Sequence, residues 1–168
     1  MFKKQPKIDI KPTANDPRII VTGWLVIAFC AAITSIFYFQ LTVTIPTHFN
    51  HKGIADGYGH KSTIWGLLGF NVLFYFTMTL LATKIKPWYF NFPVKVTERN
   101  APEVYALGIR MLLVVNLACT LVLTCVSTII LLSAKKGYSP SIWMILVMVP
   151  LLLAPIAYYT LKMQKIQR

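Results

Sequence analysis

Acidic residues are nearly missing from this 168-residue chain, which has five Asp and Glu against 17 Lys and Arg, and charged residues of all kinds make up only 13%. A soluble domain of this size must cover its surface with charge, so the scarcity excludes that class. Cysteine is scarce too. Cys30, Cys119 and Cys125 all fall in apolar runs, where they behave as small hydrophobes, and there is no CxxC motif or disulfide framework. No Asp, Glu, Lys or His lies in the middle of any apolar run. A proton or ion pathway needs such groups, which argues against transport by this chain alone. A cleavable signal peptide is not expected either: the charged N-terminal region is long, the first apolar run exceeds the usual h-region, and no small-x-small site follows it.

What the chain does have is hydrocarbon. Hydrophobic residues make up 56% and the mean hydropathy is +0.60. Four apolar runs, at about 17–44, 63–83, 104–134 and 140–161, reach the roughly 20 helical residues that cross a bilayer core. Lipid offers no water to open backbone groups, so the spans should be helices. A barrel would need apolar/polar alternation, and these runs are continuous. The expected fold is all-α: a four-transmembrane-helix bundle in a single membrane domain.

Thirteen of the 17 basic residues lie within residues 1–18, 84–110 and 162–168. The positive-inside rule then gives an N-in/C-in topology, with cytoplasmic tails at 1–16 and 162–168, a cytoplasmic loop at 84–103, and outer loops at 45–62 and 135–139. The net charge of +12 follows from topology, because the cations border membrane spans; no nucleic-acid partner is expected.

Local signals punctuate the helices. Asp16–Pro17 reads as a cap and first helical position, and Pro46 bounds the far end of span 1. Trp88, Tyr89, Phe90 and Phe92 follow Lys84 and Lys86 as an interfacial aromatic belt. Asn100 to Glu103 has capping-box spacing. A helix from Ala101 to about Ala134 would be roughly 50 Å long, so its first turns, with Tyr105 and Arg110, should lie in the interface. Gly137 reads as its stop, and Ser139–Pro140 as the next start. Pro150 and Pro155 should bend span 4. The pairs Ala28/Ala32 and Ala31/Ser35 permit close helix contact. Asn71 and Asn116 are the only amides deep in the runs and should bond between helices. By residue count Asn71 falls level with Ser127, and Asn116 with Thr77 and Thr79, which makes spans 2 and 3 neighbours.

All three histidines, His48, His51 and His60, sit with Asp56 in the polar stretch IPTHFNHKGIADGYGHK. Several readings of it are open. His48, His51, Asp56 and His60 have the chemistry to hold a divalent metal such as zinc, although no glutamate stands by as a general base. Ser62 and Thr63 read as span-entry hydroxyls more than as nucleophiles. A structural reading has Asp56–Gly57 in a tight turn, with Asp56 accepting from backbone or from Lys61. External ligand recognition is the remaining reading, with His48, Asn50, Gly53, Asp56, Tyr58 and Lys61 as the binding set.

This segment resembles the hallmark of a bacterial membrane domain of unknown function found at the N-terminus of SdpI-type immunity proteins. Pro46, His48, Phe49, Asn50, Gly53, Asp56, Gly57, Gly59 and Lys61 match its pattern, and Tyr58 stands where Trp is common. The stretch Asn100 to Leu112 is similar to the start of the third span in small members. The resemblance covers about residues 17 to 133. It implies a bacterial inner-membrane location, and for members with more than four spans it implies protection against a secreted toxic peptide and membrane capture of a repressor.

The expected function is therefore that of a small membrane binding or immunity-like protein whose partners are the bilayer and an external peptide or a membrane protein. An accessory subunit of a larger complex is the alternative, and an outer-face metal-dependent enzyme a weaker one. Apart from such a metal, no cofactor is expected.

Overall fold

The computed structural model of the chain describes residues 5–10, 16–140 and 142–166. Lys3, Lys4, Lys11 and Arg168, counted above in the charge balance, lie outside the described residues, as does Ser141. Helix α1 (Asp16–Tyr38) leads into a hairpin of β1 (Thr44–Phe49) and β2 (Ala55–His60), then α2 (Thr63–Lys84), a 3-10 turn (Pro87–Tyr89), α3 (Ala101–Lys136) and α4 (Ile142–Ile166). All four helices are long and apolar enough to cross a membrane. Pro6 and Ile166, near the two ends of the described chain, lie at the end of the bundle where α3 begins, and the hairpin lies where α3 ends.

Helix α3 is the central post. Nearly half of its apolar window is buried, 44%, against 22% for α1 and for α2 and 6% for α4. Its buried face mixes larger residues such as Tyr105, Leu113 and Leu131 with small and hydroxylated ones, Gly108, Ala118, Thr120, Thr124, Ser127 and Ser133. Small side chains let backbones approach, which is how helices associate where lipid supplies no hydrophobic drive. Helices α2 and α3 are neighbours, as the depth count predicts. Asn116 Nδ2 donates to the Tyr75 carbonyl and to Thr79 Oγ1, both at 3.1 Å. Asn71 Nδ2 donates to Thr124 Oγ1 at 3.4 Å. The expected partner Ser127 lies about one turn away and bonds back to Leu123 of its own helix, as Thr77 does within α2.

Tyr75 locks α1 to α2. Its hydroxyl donates to the Ile20 carbonyl at 2.9 Å, and its ring fills the space above Gly23, where a Cβ would stand 2.2 Å from Tyr75 Cζ. The buried stripe of α1 is thus Gly23, Ile27, Cys30 and Thr34. The expected contact residues Ala28, Ala32 and Ser35 are exposed instead.

Several boundaries differ from expectation. Helix α1 ends at Tyr38 and not at 44, because the β-branched run Thr42, Val43, Thr44, Ile45 enters the hairpin. Helix α4 runs unbroken through Pro150 and Pro155 to Ile166, across most of the expected C-terminal tail. Helix α3, by contrast, starts at Ala101 and stops on Gly137 as expected, with a left-handed φ of 63° at the glycine. Asn100 does not cap it. Its Oδ1 accepts from the Thr97 amide at 2.8 Å and its Nδ2 donates to the Lys95 carbonyl, so it ties the preceding loop together. Arg110, expected in the interface, donates from Nε to Asp16 Oδ1 at 3.1 Å. Phe92, expected at the headgroups, packs on Gly108 and lies 5.4 Å from the Tyr105 ring. At this end Val94, Val104, Leu107 and Met163 form a small core, and Tyr105 donates to the Pro6 carbonyl at 2.7 Å.

The glycines give a contrast to measure. Nothing lies within 4 Å of a Cβ at Gly66 or Gly69, so Gly66→Ala and Gly69→Ala should raise or leave unchanged the melting temperature in detergent, since Ala favours helix by up to about 1 kcal/mol. Gly23→Ala should lower it, overpacking against Tyr75 by about 1–3 kcal/mol. Equal behaviour of all three would rule out the Gly23–Tyr75 contact.

Candidate functional site

The polar segment is not a loose turn. It is a two-stranded antiparallel hairpin with His48 opposite Gly57, Pro46 opposite Tyr58 and Thr44 opposite His60. Pro46 is tolerated because each strand of a two-stranded sheet has a free edge. The register is irregular on both sides of His48, a bulge that re-aims the histidine. Ile45 is fully buried with Leu41, Ile64, Ile130 and Leu131, which anchors the base of the hairpin on α2 and α3.

Asp56 and Gly57 lie on β2; the turn is at residues 50–54, four positions from where the Asp-Gly pair suggests it. Asn50 builds it. Its Oδ1 accepts from the amides of Lys52 at 2.9 Å and Ile54 at 3.1 Å, its amide donates to the Ile54 carbonyl, and its carbonyl accepts from Gly53. This is the local side-chain-to-backbone bonding that suits Asn to turns. Gly53 has a φ of 76°, and a Cβ there would lie 1.8 Å from the Pro140 carbonyl oxygen. Both the backbone conformation and the contact demand glycine. The hairpin tip is thereby seated on the α3–α4 connection.

His48 and Asp56 meet across the strands, Nδ1 to Oδ1 at 2.5 Å, with both side chains substantially exposed. Gly57 makes room, since a Cβ there would be 2.8 Å from His48 Cβ. An Nδ1–H donated to the carboxylate leaves Nε2 as the ring's remaining polar atom, an acceptor in the neutral imidazole and a donor in the cation. Beneath the hairpin, between its tip and the α3–α4 corner, lies a cavity of about 230 Å³ lined by His48, Asn50, His51, Val126, Pro140 and Met144, among others. Its walls are mostly apolar and its few polar groups come from the hairpin, the usual make-up of a ligand site.

The other sequence candidates sort differently. Lys61 does not reach Asp56; its Nζ donates to the carbonyls of Tyr38 at 3.4 Å and Leu41 at 3.5 Å and lies 4.8 Å over the Tyr38 ring. A cation at exposed C-terminal carbonyls is a helix cap. Tyr58 is exposed beside the pair. His60 Nδ1 accepts from the Ser62 amide and contacts its hydroxyl, away from the cavity, so His48, His51, Asp56 and His60 are not gathered. Among the described residues no three of His, Cys, Asp and Glu come together as a metal-holding group. Asn71 and Asn116 serve helix packing, as above. Sequence reasoning missed Val126, Pro140 and Met144, which come from the far end of α3 and the corner after it and carry no local signal.

Residues 25–73, which run from the middle of α1 through the hairpin into α2, match the family model described as a domain of unknown function, DUF1648. Comparison with curated proteins and with solved structures finds no match.

Gly53→Ala should unseat the tip. Amide hydrogen exchange across residues 50–54 should quicken while helix content by circular dichroism stays unchanged, because the spans do not depend on the tip. Unaltered exchange in this variant would refute the Gly53–Pro140 seat.

Proposed function

We propose that this chain is a small, immunity-like integral membrane binding protein of the bacterial inner membrane. Its hairpin faces away from the cytoplasm and recognises an extracytoplasmic ligand such as a toxic peptide. The observation that carries this reading is that Asp56 engages His48, which lines a cavity whose far wall is α3 and the α3–α4 corner. His48 and Asp56 are held together at an exposed position, where such a contact adds little stability, so ligand recognition accounts for the arrangement better than support of the hairpin does. The excess of Lys and Arg at the termini end supports the orientation. Asn50 and Gly53 shape the tip, Lys61 holds the hairpin to the end of α1, and Tyr58 offers an exposed ring beside the pair.

A second reading is an accessory subunit of a larger membrane complex, since one short outer loop and basic cytoplasmic segments offer more docking surface than active site. Mild-detergent pull-down from native membranes separates the two, because a subunit returns with one fixed partner at constant ratio.

Orientation is checked by thiol labelling in a background lacking Cys30, Cys119 and Cys125. Lys52→Cys and Ser139→Cys should react with an impermeant maleimide added outside, and Pro93→Cys should react only after lysis; the reverse pattern would invert the topology. His48→Ala and Asp56→Asn should leave abundance and membrane insertion near parental while abolishing the phenotype of the intact gene. Full activity of the double variant would move the function away from the hairpin. Loss of a stoichiometric metal alongside activity would instead make the site a metal centre.

A further inference from the structure

A second cavity lies lower in the bundle. Helices α1 and α4 flank α3 and leave between them a groove of about 510 Å³, walled by Leu25 and Phe29 on one side and floored by Leu121, Cys125 and Leu132. The hydroxyls that reach it are already engaged. Thr22 Oγ1 donates to the Arg18 carbonyl at 2.9 Å, Thr128 Oγ1 to the Thr124 carbonyl at 2.8 Å and Tyr138 Oη to Met144 Sδ at 3.8 Å, and Thr124 Oγ1 accepts from Asn71. The groove therefore offers hydrocarbon surface. An extended peptide placed there would leave its backbone groups unpaired, at a cost of several kcal/mol each in lipid; an acyl chain has none to pair. From Leu121 to Leu132 the floor rises about 16 Å at 1.5 Å per residue, close to one leaflet of a roughly 30 Å core.

The mouth of the groove carries charge of one sign. Leu121, Cys125, Thr128 and Leu132 follow one another at four, three and four residues along one stripe of α3, and Lys136 is the next position of that stripe. Lys135 stands beside it on the α1 side, with Nζ 4.6 Å from the Phe37 ring centroid and donating to Gln40 Oε1. Across residues 39–62 and 135–140, Lys52, Lys61, Lys135 and Lys136 face one carboxylate, Asp56, which His48 already engages. We propose that this groove holds one acyl chain of an anionic phospholipid, with the phosphate at Lys136 and Lys135. The groove shares Ile129 and Met144 with the cavity under the hairpin, so the bound chain forms part of that cavity's wall. The proposal stands independently of what the hairpin binds.

The test uses the full chain reconstituted in bilayers of equal phosphatidylglycerol and phosphatidylcholine, then extracted and weighed by native mass spectrometry. One phosphatidylglycerol per chain should remain, in preference to phosphatidylcholine. Lys136→Gln should reduce that preference about fivefold, the factor that about 1 kcal/mol per surface lysine represents. Cys125→Trp and, separately, Leu132→Trp should plug the groove and remove the retained lipid whatever its headgroup, with helix content unchanged; should one of them misfold, the other and Lys136→Gln still decide. Equal retention of the two lipids, retention by both plugged variants, or a lipid-free dimer cross-linking through Cys125 would each overturn the proposal.

Discussion

Helices in a bilayer gain nothing from leaving the solvent, because the solvent is as apolar as they are, and this bundle answers that constraint with α3. The helix carries a face of Gly, Ala, Ser and Thr to close approach and places Asn116 where it bonds two groups of α2 at once. Interhelical bonds of this kind contribute roughly 0.6–2 kcal/mol. Tyr75 completes the arrangement by bonding α1 backbone across the gap that Gly23 leaves. Helix α4, the least buried, packs against α3 and sends Met163 into the small core near the termini.

The architecture was legible because its causes are long-range averages. Run length and the scarcity of charge define four spans regardless of how they pack, and depth counting along Asn71 and Asn116 identifies α2 and α3 as neighbours to within one turn. What depended on a partner elsewhere in the chain was not legible. Asn100 has capping-box spacing, yet its side chain is drawn back to Thr97 and Lys95. Lys61 has Asp56 five residues away and is drawn to the open carbonyls at the end of α1. Phe92 belongs by sequence to an interfacial belt and is drawn inward by the space that Gly108 leaves.

The hairpin shows the same division. Residue types single out His48, His51, His60 and Asp56 together, because polar groups are so rare in this chain that their clustering is itself a signal, and only the fold picks out His48 with Asp56. The pairing register, which sets Gly57 opposite His48 and moves the turn to Asn50, follows from a bulge and from the seat at Pro140. Neither leaves a mark in the local sequence. The wall that turns the hairpin into one side of a cavity is supplied by α3 and by the start of α4, some 80 residues downstream.

That seat bears on how the matched family segment can be understood. Residues 25–73 contain the hairpin and stop well short of Pro140, Val126 and the buried partners Ile130 and Leu131. A fragment cut to those limits would keep His48, Asn50 and Asp56 and lose the floor on which they stand. In this chain the segment borrows its tertiary support from outside its own limits, from α3 and from the corner at Pro140 against which Gly53 is packed.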